Sequence, residues 1–297
     1  MTNRWSINLI LLIAVITISL FVFRNQESSY IEEERFSISD LKLSSFQKIN
    51  IYFPSRAETK FRLSDVGWVM EKPFKARADE LYVYRILALL ATTSPIKLGN
   101  ESLDKYGLKN PSLRIIFSNK TLKEEFLFGT YNAVTEDQYM FYKNNIFLVS
   151  GGFSETASFV PEELIDKKSI ASYEKVKSYN FSRLEQWQED RLELNYSNGQ
   201  WSAKGEKMAV NQDEMNEWFD LTWRKPTAIA VEPFKMDPRV GYKSFDLTLK
   251  SGKKIIMYRI QEHPELKLYR SDEKLLYRFP SDLGFTMLNP NVKSFED

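Results

Sequence analysis

The stretch RLELNYSNGQWSAK, residues 191–204, holds two runs of alternating side chains around one Asn-Gly pair, Asn198–Gly199. Asn-Gly between alternating runs is the strongest short hairpin signal, because the favoured two-residue turn needs positive φ at both central positions. Reading outward, VKSYNF (176–181) precedes this hairpin, and a helical pattern from about Gln212 to Trp223 follows it. After the extended TAIAVEPF (227–234) come FDLTLK (245–250), a Ser251–Gly252 turn, KKIIMYRI (253–260), and a last hairpin of LKLYR (266–270) and LLYRF (275–279).

The same order is legible from residue 46. FQKINIYF (46–53) and TKFRL (59–63) lead through a turn at Ser64–Gly67 to Trp68 and WVME. A helix from about Asp79 to Ala91 is followed by SPIKL (94–98) and a loop, YGLKNP (106–111). LRIIFS (113–118), a turn at Asn119–Lys120, KEEFLFG (123–129) and the hairpin QYMFY–KNN–IFLV (138–149) close the unit. Trp201 falls 133 residues after Trp68, and periodic self-similarity of this kind marks a repeat.

Leu113, Ile115 and Phe117 alternate with polar positions such as Arg114, as Phe245, Leu247 and Leu249 alternate with Asp246. One apolar and one polar face describe a half-buried antiparallel sheet. Val83, Leu87 and Leu90, widened by Ile86 and Leu89, give the first helix an apolar stripe. Asp79 and Glu80 sit in its first turn, where the helix dipole favours negative charge. Met215, Trp218 and Phe219 form the stripe of the second helix, and Asn211 with Glu214 has capping-box spacing. Trp223 falls off that stripe. With Arg224 and Lys225 it is the candidate partner-binding cluster, since Trp and Arg are enriched in binding hot spots.

Residues 7–23, INLILLIAVITISLFVF, are uncharged. A spanning helix takes roughly 17–25 apolar residues, whereas a signal-peptide core takes about 7–15 and ends in a small-x-small site. The run ends in Phe21, Val22, Phe23 and Arg24, so an uncleaved anchor is the reading over a cleaved signal; without cysteine, a lipoprotein anchor is impossible. Arg4 precedes the run, and Arg24 is followed by Glu27, Glu32, Glu33 and Glu34. Positive charge favours the cytoplasmic side, so the expected topology is single-pass in the inner (cytoplasmic) membrane. The N-terminus then lies in the cytoplasm and the body in the periplasm or outside the cell.

The fold class predicted is α+β: two tandem repeats, each a mostly antiparallel β-sheet with one packed helix, after an N-terminal transmembrane helix. The boundaries are an anchor at 1–24, a stalk at 25–45, a first repeat at 46–160, a linker at 161–175 and a second repeat at 176–297. Beyond Arg24 the chain has 39 basic and 40 acidic residues. Nucleic-acid binders carry a basic face, so nucleic acid is not an expected partner.

No catalytic or metal constellation emerges. The single histidine, His263, precedes Pro264 in a hairpin connection; zinc sites want several ligands, and a Ser-His-Asp set would need this same residue. Glu32–Glu34 and Glu162–Glu163 read as solvated charge. Gly151–Gly152 before a short helix at Ser154–Phe159 lacks a phosphate-loop pattern and reads as a turn. No cofactor and no metal are expected.

Gly67-Trp68, Ala78-Asp79 opening a Leu-rich helix, the run Tyr106-Gly107-Leu108-x-x-Pro111, Gly129, Tyr139, and Leu164, Asp166 and Lys167 form a combination. In it the chain resembles the bacterial DUF4340 family, a domain of unknown function, best over about residues 46–170. Gly67, Trp68, Tyr106, Gly107, Leu108, Pro111 and Gly129 are its structural motif residues. The resemblance implies a partner of ABC-type transport systems related to gliding-motility auxiliary proteins, and it brings no catalytic residues. The expectation is therefore a non-enzymatic, membrane-anchored, extracytoplasmic accessory protein that binds an ABC-type permease or auxiliary subunit. The alternative is an envelope glycan- or lipid-binding module, suggested by the abundant aromatics.

Overall fold

A computed structural model describes residues 4–26, 35–205 and 208–294. The chain is mixed α+β, with mostly antiparallel sheets and few helices. Helix α1 (Arg4–Gln26) comes first. Among the described residues no helix is long and apolar enough to cross a membrane. The apolar side chains of α1 are described over Ile7–Phe23, against the roughly 20 residues that a bilayer core takes.

Two large sheets form the body. The nine-stranded sheet has at one edge the two-residue strand Ala76–Arg77. Next across it come Gly67–Lys72, Arg56–Ser64, Lys48–Phe53, Leu113–Ser118, Lys123–Tyr131, Gln138–Tyr142, Asn145–Val149 and Lys97–Leu98. The eight-stranded sheet runs Gln200–Lys204, Glu193–Ser197, Val176–Asn180, Lys243–Leu249, Lys254–Gln261, Glu265–Arg270, Leu275–Pro280 and Ala230–Pro233. Apart from the Ala76–Arg77 edge, the two orders correspond strand for strand.

The opening hairpin pairs Ser197 with Gln200, and Asn198 and Gly199 have φ of 51° and 81°, as the Asn-Gly turn requires. The Asn119 turn is held differently: its Oδ1 accepts from the Thr121 and Leu122 amides. Asp246, expected on the solvent face, is buried, because Arg183 and Lys254 fold over it and neutralise its charge.

Helix α2 (Glu80–Leu87) begins at Asp79, whose carboxylate caps the Leu81 amide, and continues as a 3-10 turn over Ala88–Ala91. Val83, Ile86, Leu87, Leu89 and Leu90 are buried against the first sheet. Helix α4 (Gln212–Phe219) begins at Asn211, which accepts from the Asp213 and Glu214 amides. Glu214 does not complete a capping box; its carboxylate accepts from Asn291 at 2.6 Å. Two further helices follow the last hairpins, α3 (Gly152–Ser158) and α5 (Ser281–Leu288). The second was not foreseen: Gly284 and Thr286 interrupt its apolar pattern, and Gly284 is where the Leu266 side chain packs against it.

Residues 35–45, expected as the end of a stalk, lie on the body. Phe36–Ser37 pairs with Thr93–Ser94, and Ile38 and Phe46 are buried. Alternating Phe36 and Ile38 give this segment an apolar side worth covering. Of the rest of that predicted stalk, Asn25 and Gln26 close α1, and residues 27–34 lie outside the described residues.

The YGL loop turns around Gly107, at φ 69°, and lays the Tyr106 carbonyl on the bare Cα of Gly129. A methyl group at 129 would overlap that oxygen. Leu108 is buried, and the Tyr106 ring packs at 4.5 Å from Tyr139. Gly129→Ala is therefore expected to cost about 3 kcal/mol, the upper range for overpacking a filled site, read as a lower midpoint in urea. An unchanged midpoint would show that the loop is not seated on this strand.

Candidate functional site

The joint between the halves is built from the segment that follows α3. Leu164 and Ile165 are buried, and the backbone around them is strapped to the first half. The Asp79 amide donates to the Leu164 carbonyl at 2.9 Å, and the Asp166 amide donates to the Arg77 carbonyl at 2.9 Å. On the other side, the Ala228 amide donates to the Lys167 carbonyl at 2.8 Å. The strap thus ties the start of α2 to the second half.

Two arginines fasten it, Arg270 fully buried and Arg77 half-buried. Arg77 Nε donates to Glu273 at 2.9 Å and Nη1 to Asp166 at 2.5 Å; Nη2 reaches Tyr277 Oη at 3.0 Å and the Lys168 carbonyl. Tyr277 in turn donates to Glu273. Arg270 is 0 % exposed. It grips Glu174 with two nitrogens at 2.7 and 2.5 Å, Asp272 at 2.9 and 3.2 Å, and the Ser169 carbonyl at 2.8 Å. A guanidinium has five N–H donors, and Arg270 uses them all.

Burial alone would lower the pKa of both arginines; the carboxylates around them outweigh it and hold both above the ordinary value. Burial works to raise Asp272, but hydrogen bonds from Arg270 and Lys253 bring it down to about 2. Glu174 is likewise lowered against its burial by Arg270.

Two clefts flank the strap and share Lys168, Ala171 and Ser172. One, of about 510 Å³, lies between Trp68, Asp79, Tyr82 and Tyr173, with Thr227 contributed by the second half. Three of its four acids are committed, Asp79 to the helix cap, Asp166 to Arg77, and Glu163 to Lys167, while Glu80 is exposed in the first turn of α2. The other, of about 400 Å³, lies in the second half between Tyr196, Trp201, Phe219 and Trp223. Among the described residues no three His, Asp or Glu side chains converge on a metal-sized site.

The sequence-derived candidates separate here. Trp223 is 2 % exposed and packs against Tyr179 and Phe245, so it presents no surface hot spot. The reason is a π-turn over Asp220–Arg224, whose wider period swings residue 223 beneath the Met215–Trp218 stripe. Arg224 and Lys225 remain exposed, Arg224 paired with Asp220 at 2.8 Å. Gly67 forms the turn before Trp68, at φ 112°, and Trp68 and Trp201 are both buried. Pro111 lines a shallow cleft beside Leu108, away from the joint. His263 sits beside Ser281 at 3.2 Å, and Gly151–Gly152 open α3. Of the acidic runs, Glu32–Glu34 lies outside the described residues. Arg77 and Arg270 were not singled out from the sequence, because an arginine on a strand reads as solvent-facing until its carboxylates are placed.

A family model described as a domain of unknown function (DUF4340) matches residues 68–233, more than half of the chain. The chain belongs to the DUF4340 family. The DUF4340 match starts at Trp68 and runs across the strap into the second half, further than the 46–170 expected from the motif residues. It contains Arg77, Asp166 and Glu174, whereas Arg270 and Glu273 lie beyond it. No curated protein and no solved structure matches the chain.

Breaking a buried ion pair from one side leaves charge stranded, at about 3–5 kcal/mol. Arg270→Met is expected to destabilise by that amount, measured by chemical unfolding, and Arg77→Met by somewhat less because its partners are partly exposed. Stability also depends on acid. Asp272 is depressed in the folded protein, so its contribution is complete above the unfolded value near 3.8 and is lost as pH falls through about 2. The wild type is expected to lose about 1 kcal/mol more than Asp272→Asn between pH 5 and pH 2, a figure discounted for the partial exposure of Asp272. Parallel stability curves for the two proteins would refute this.

Proposed function

We propose that the protein is a non-enzymatic accessory protein, anchored by α1 in the inner membrane, whose extracytoplasmic body binds a partner. The observation that carries the reading is the exposure of α1. Its described apolar side chains are exposed on every side, from Leu9 at 48 % to Trp5 at 78 %. A helix that is apolar all round needs a lipid or protein surrounding. Thr17 folds its hydroxyl back onto the Ile13 carbonyl at 2.7 Å, which suits a setting without water. With the residues flanking Ile7–Phe23, the length reaches that of a span.

The body is read as a duplicated unit. The matching strand orders of the two sheets support this, as do the positions of α2 and α4 after the third strands and of α3 and α5 after the last hairpins. Its buried ion pairs suit a rigid binding platform. The partner we propose is an ABC-type permease complex, as the family resemblance implies.

Two measurements test this. Carbonate washing should leave the full chain in the membrane fraction, and Ile13→Lys with Ile16→Lys should release it, each lysine costing about 3 kcal/mol at a span centre. Protease added outside intact spheroplasts should digest the body; a protected body would overturn the topology. Pull-down from membranes solubilised in mild detergent should recover permease subunits, and recovery of the protein alone would overturn the partner.

A further inference from the structure

The 400 Å³ groove in the second half has the size of a small-molecule site and an aromatic lining. The Tyr196 and Trp201 rings lie 4.9 Å apart, and Trp201 and Phe219 lie 5.5 Å apart. Phe219 and Tyr196 are half-buried, so parts of both rings remain open to a guest.

Polar bookkeeping singles out the same place. Trp187, Trp201 and Trp218 each donate their indole N–H to an oxygen. Trp223, in the groove wall, does not, and neither does the hydroxyl of Tyr179, whose ring lies 5.2 Å from it. Among the described residues these are the two buried side-chain donors without a partner. Buried donors are normally satisfied, and exceptions call for an explanation. The π-turn that places Trp223 here is itself a distortion frequent at functional sites.

The rim is positively charged. Its two acids are engaged: Glu174 by Arg270 and Asp220 by Arg224. Lys168, Lys175 and Lys250 also border the groove. Among the described residues none of the three pairs with a carboxylate: Lys175 reaches only the Ser172 carbonyl, and Lys250 sits over the Tyr196 ring. The uncompensated charge is that of three ammonium groups beside an aromatic slot.

We propose that this groove binds a small anion with a flat apolar body. The body lies among Tyr196, Trp201, Phe219 and Trp223, and the carboxylate or phosphate head lies against Lys168, Lys175 and Lys250. The site is independent of the membrane reading and of the permease partner.

The test uses the full chain in lipid nanodiscs, labelled with 5-fluorotryptophan and titrated with 2-naphthoate, 2-naphthyl phosphate and uncharged 2-naphthol. Empty nanodiscs serve as the blank. Calorimetry should show saturable one-site binding of at least one anion, about tenfold or more tighter than 2-naphthol. The tighter anion identifies the head group. The ¹⁹F resonance that disappears in Trp223→Phe should be among those that shift on binding. The double variant Lys168→Glu, Lys250→Glu alters only side chains without carboxylate partners, so it should fold normally and bind about tenfold more weakly. Absence of binding by both anions, equal binding of 2-naphthol, or an unchanged affinity in the charge-reversed variant would each overturn the proposal.

Discussion

The rest of the structure depends on two guanidinium groups, one held wholly out of water and the other mostly so. Arg77 comes from the edge of the first sheet and Arg270 from the second, and both close on the strap between them. Desolvating a charge is costly, and the cost is offset only when geometry and hydrogen bonding are nearly complete. Arg270 meets that condition with five donors on five acceptors. Arg77 meets it through Glu273, Asp166, the Lys168 carbonyl and the Tyr277 hydroxyl. Such networks are better at fixing one arrangement than at adding net stability, since an apolar joint could be equally stable. What they fix is the path of residues 164–174, and that path forms one wall of both clefts. Removing one partner would therefore alter the clefts as well as the joint.

The sheets were legible because their information is local. Alternation in residues 113–118 and 245–250, with Asn-Gly and Ser-Gly turns, sets strand, face and hairpin without reference to the rest of the chain. The pairing of Lys97–Leu98 and Ala230–Pro233 at the far edges was not legible. Those partners lie far away in sequence, and two or four residues carry no period. The joint was hidden for a related reason. Asp166 was marked as a family motif residue, but its partner Arg77 lies 89 positions away. Trp223 shows the converse failure: a strict 3.6-residue period sends it outward, and a single wider turn sends it into the core.

The family motif acquires a physical meaning that is largely backbone chemistry. Tyr106, Gly107, Leu108 and Gly129 form one close approach, in which a loop carbonyl occupies the space a side chain would take. Leu164, Asp166 and Lys167 form the strap: a buried anchor, an ion pair to Arg77, and a carbonyl that receives the second half. The matched region takes in this close approach and the strap, and stops at Pro233, short of Arg270 and Glu273.

The two halves differ most where α2 and α4 end. In the first, a 3-10 turn tightens the chain, and Leu89 and Leu90 fill the space over the sheet completely. In the second, a π-turn widens it, Leu221 turns outward, and Trp223 enters with its N–H unpaired. A tight turn with two leucines closes the first helix over its sheet with both side chains buried. A wide turn with a tryptophan leaves an aromatic wall, two unsatisfied donors and a groove edged by lysines. If packing alone governed this position, leucines would serve the second half as they serve the first. The departure from that solution, on a scaffold otherwise matched strand for strand, is what the anion groove proposed in the second half would account for.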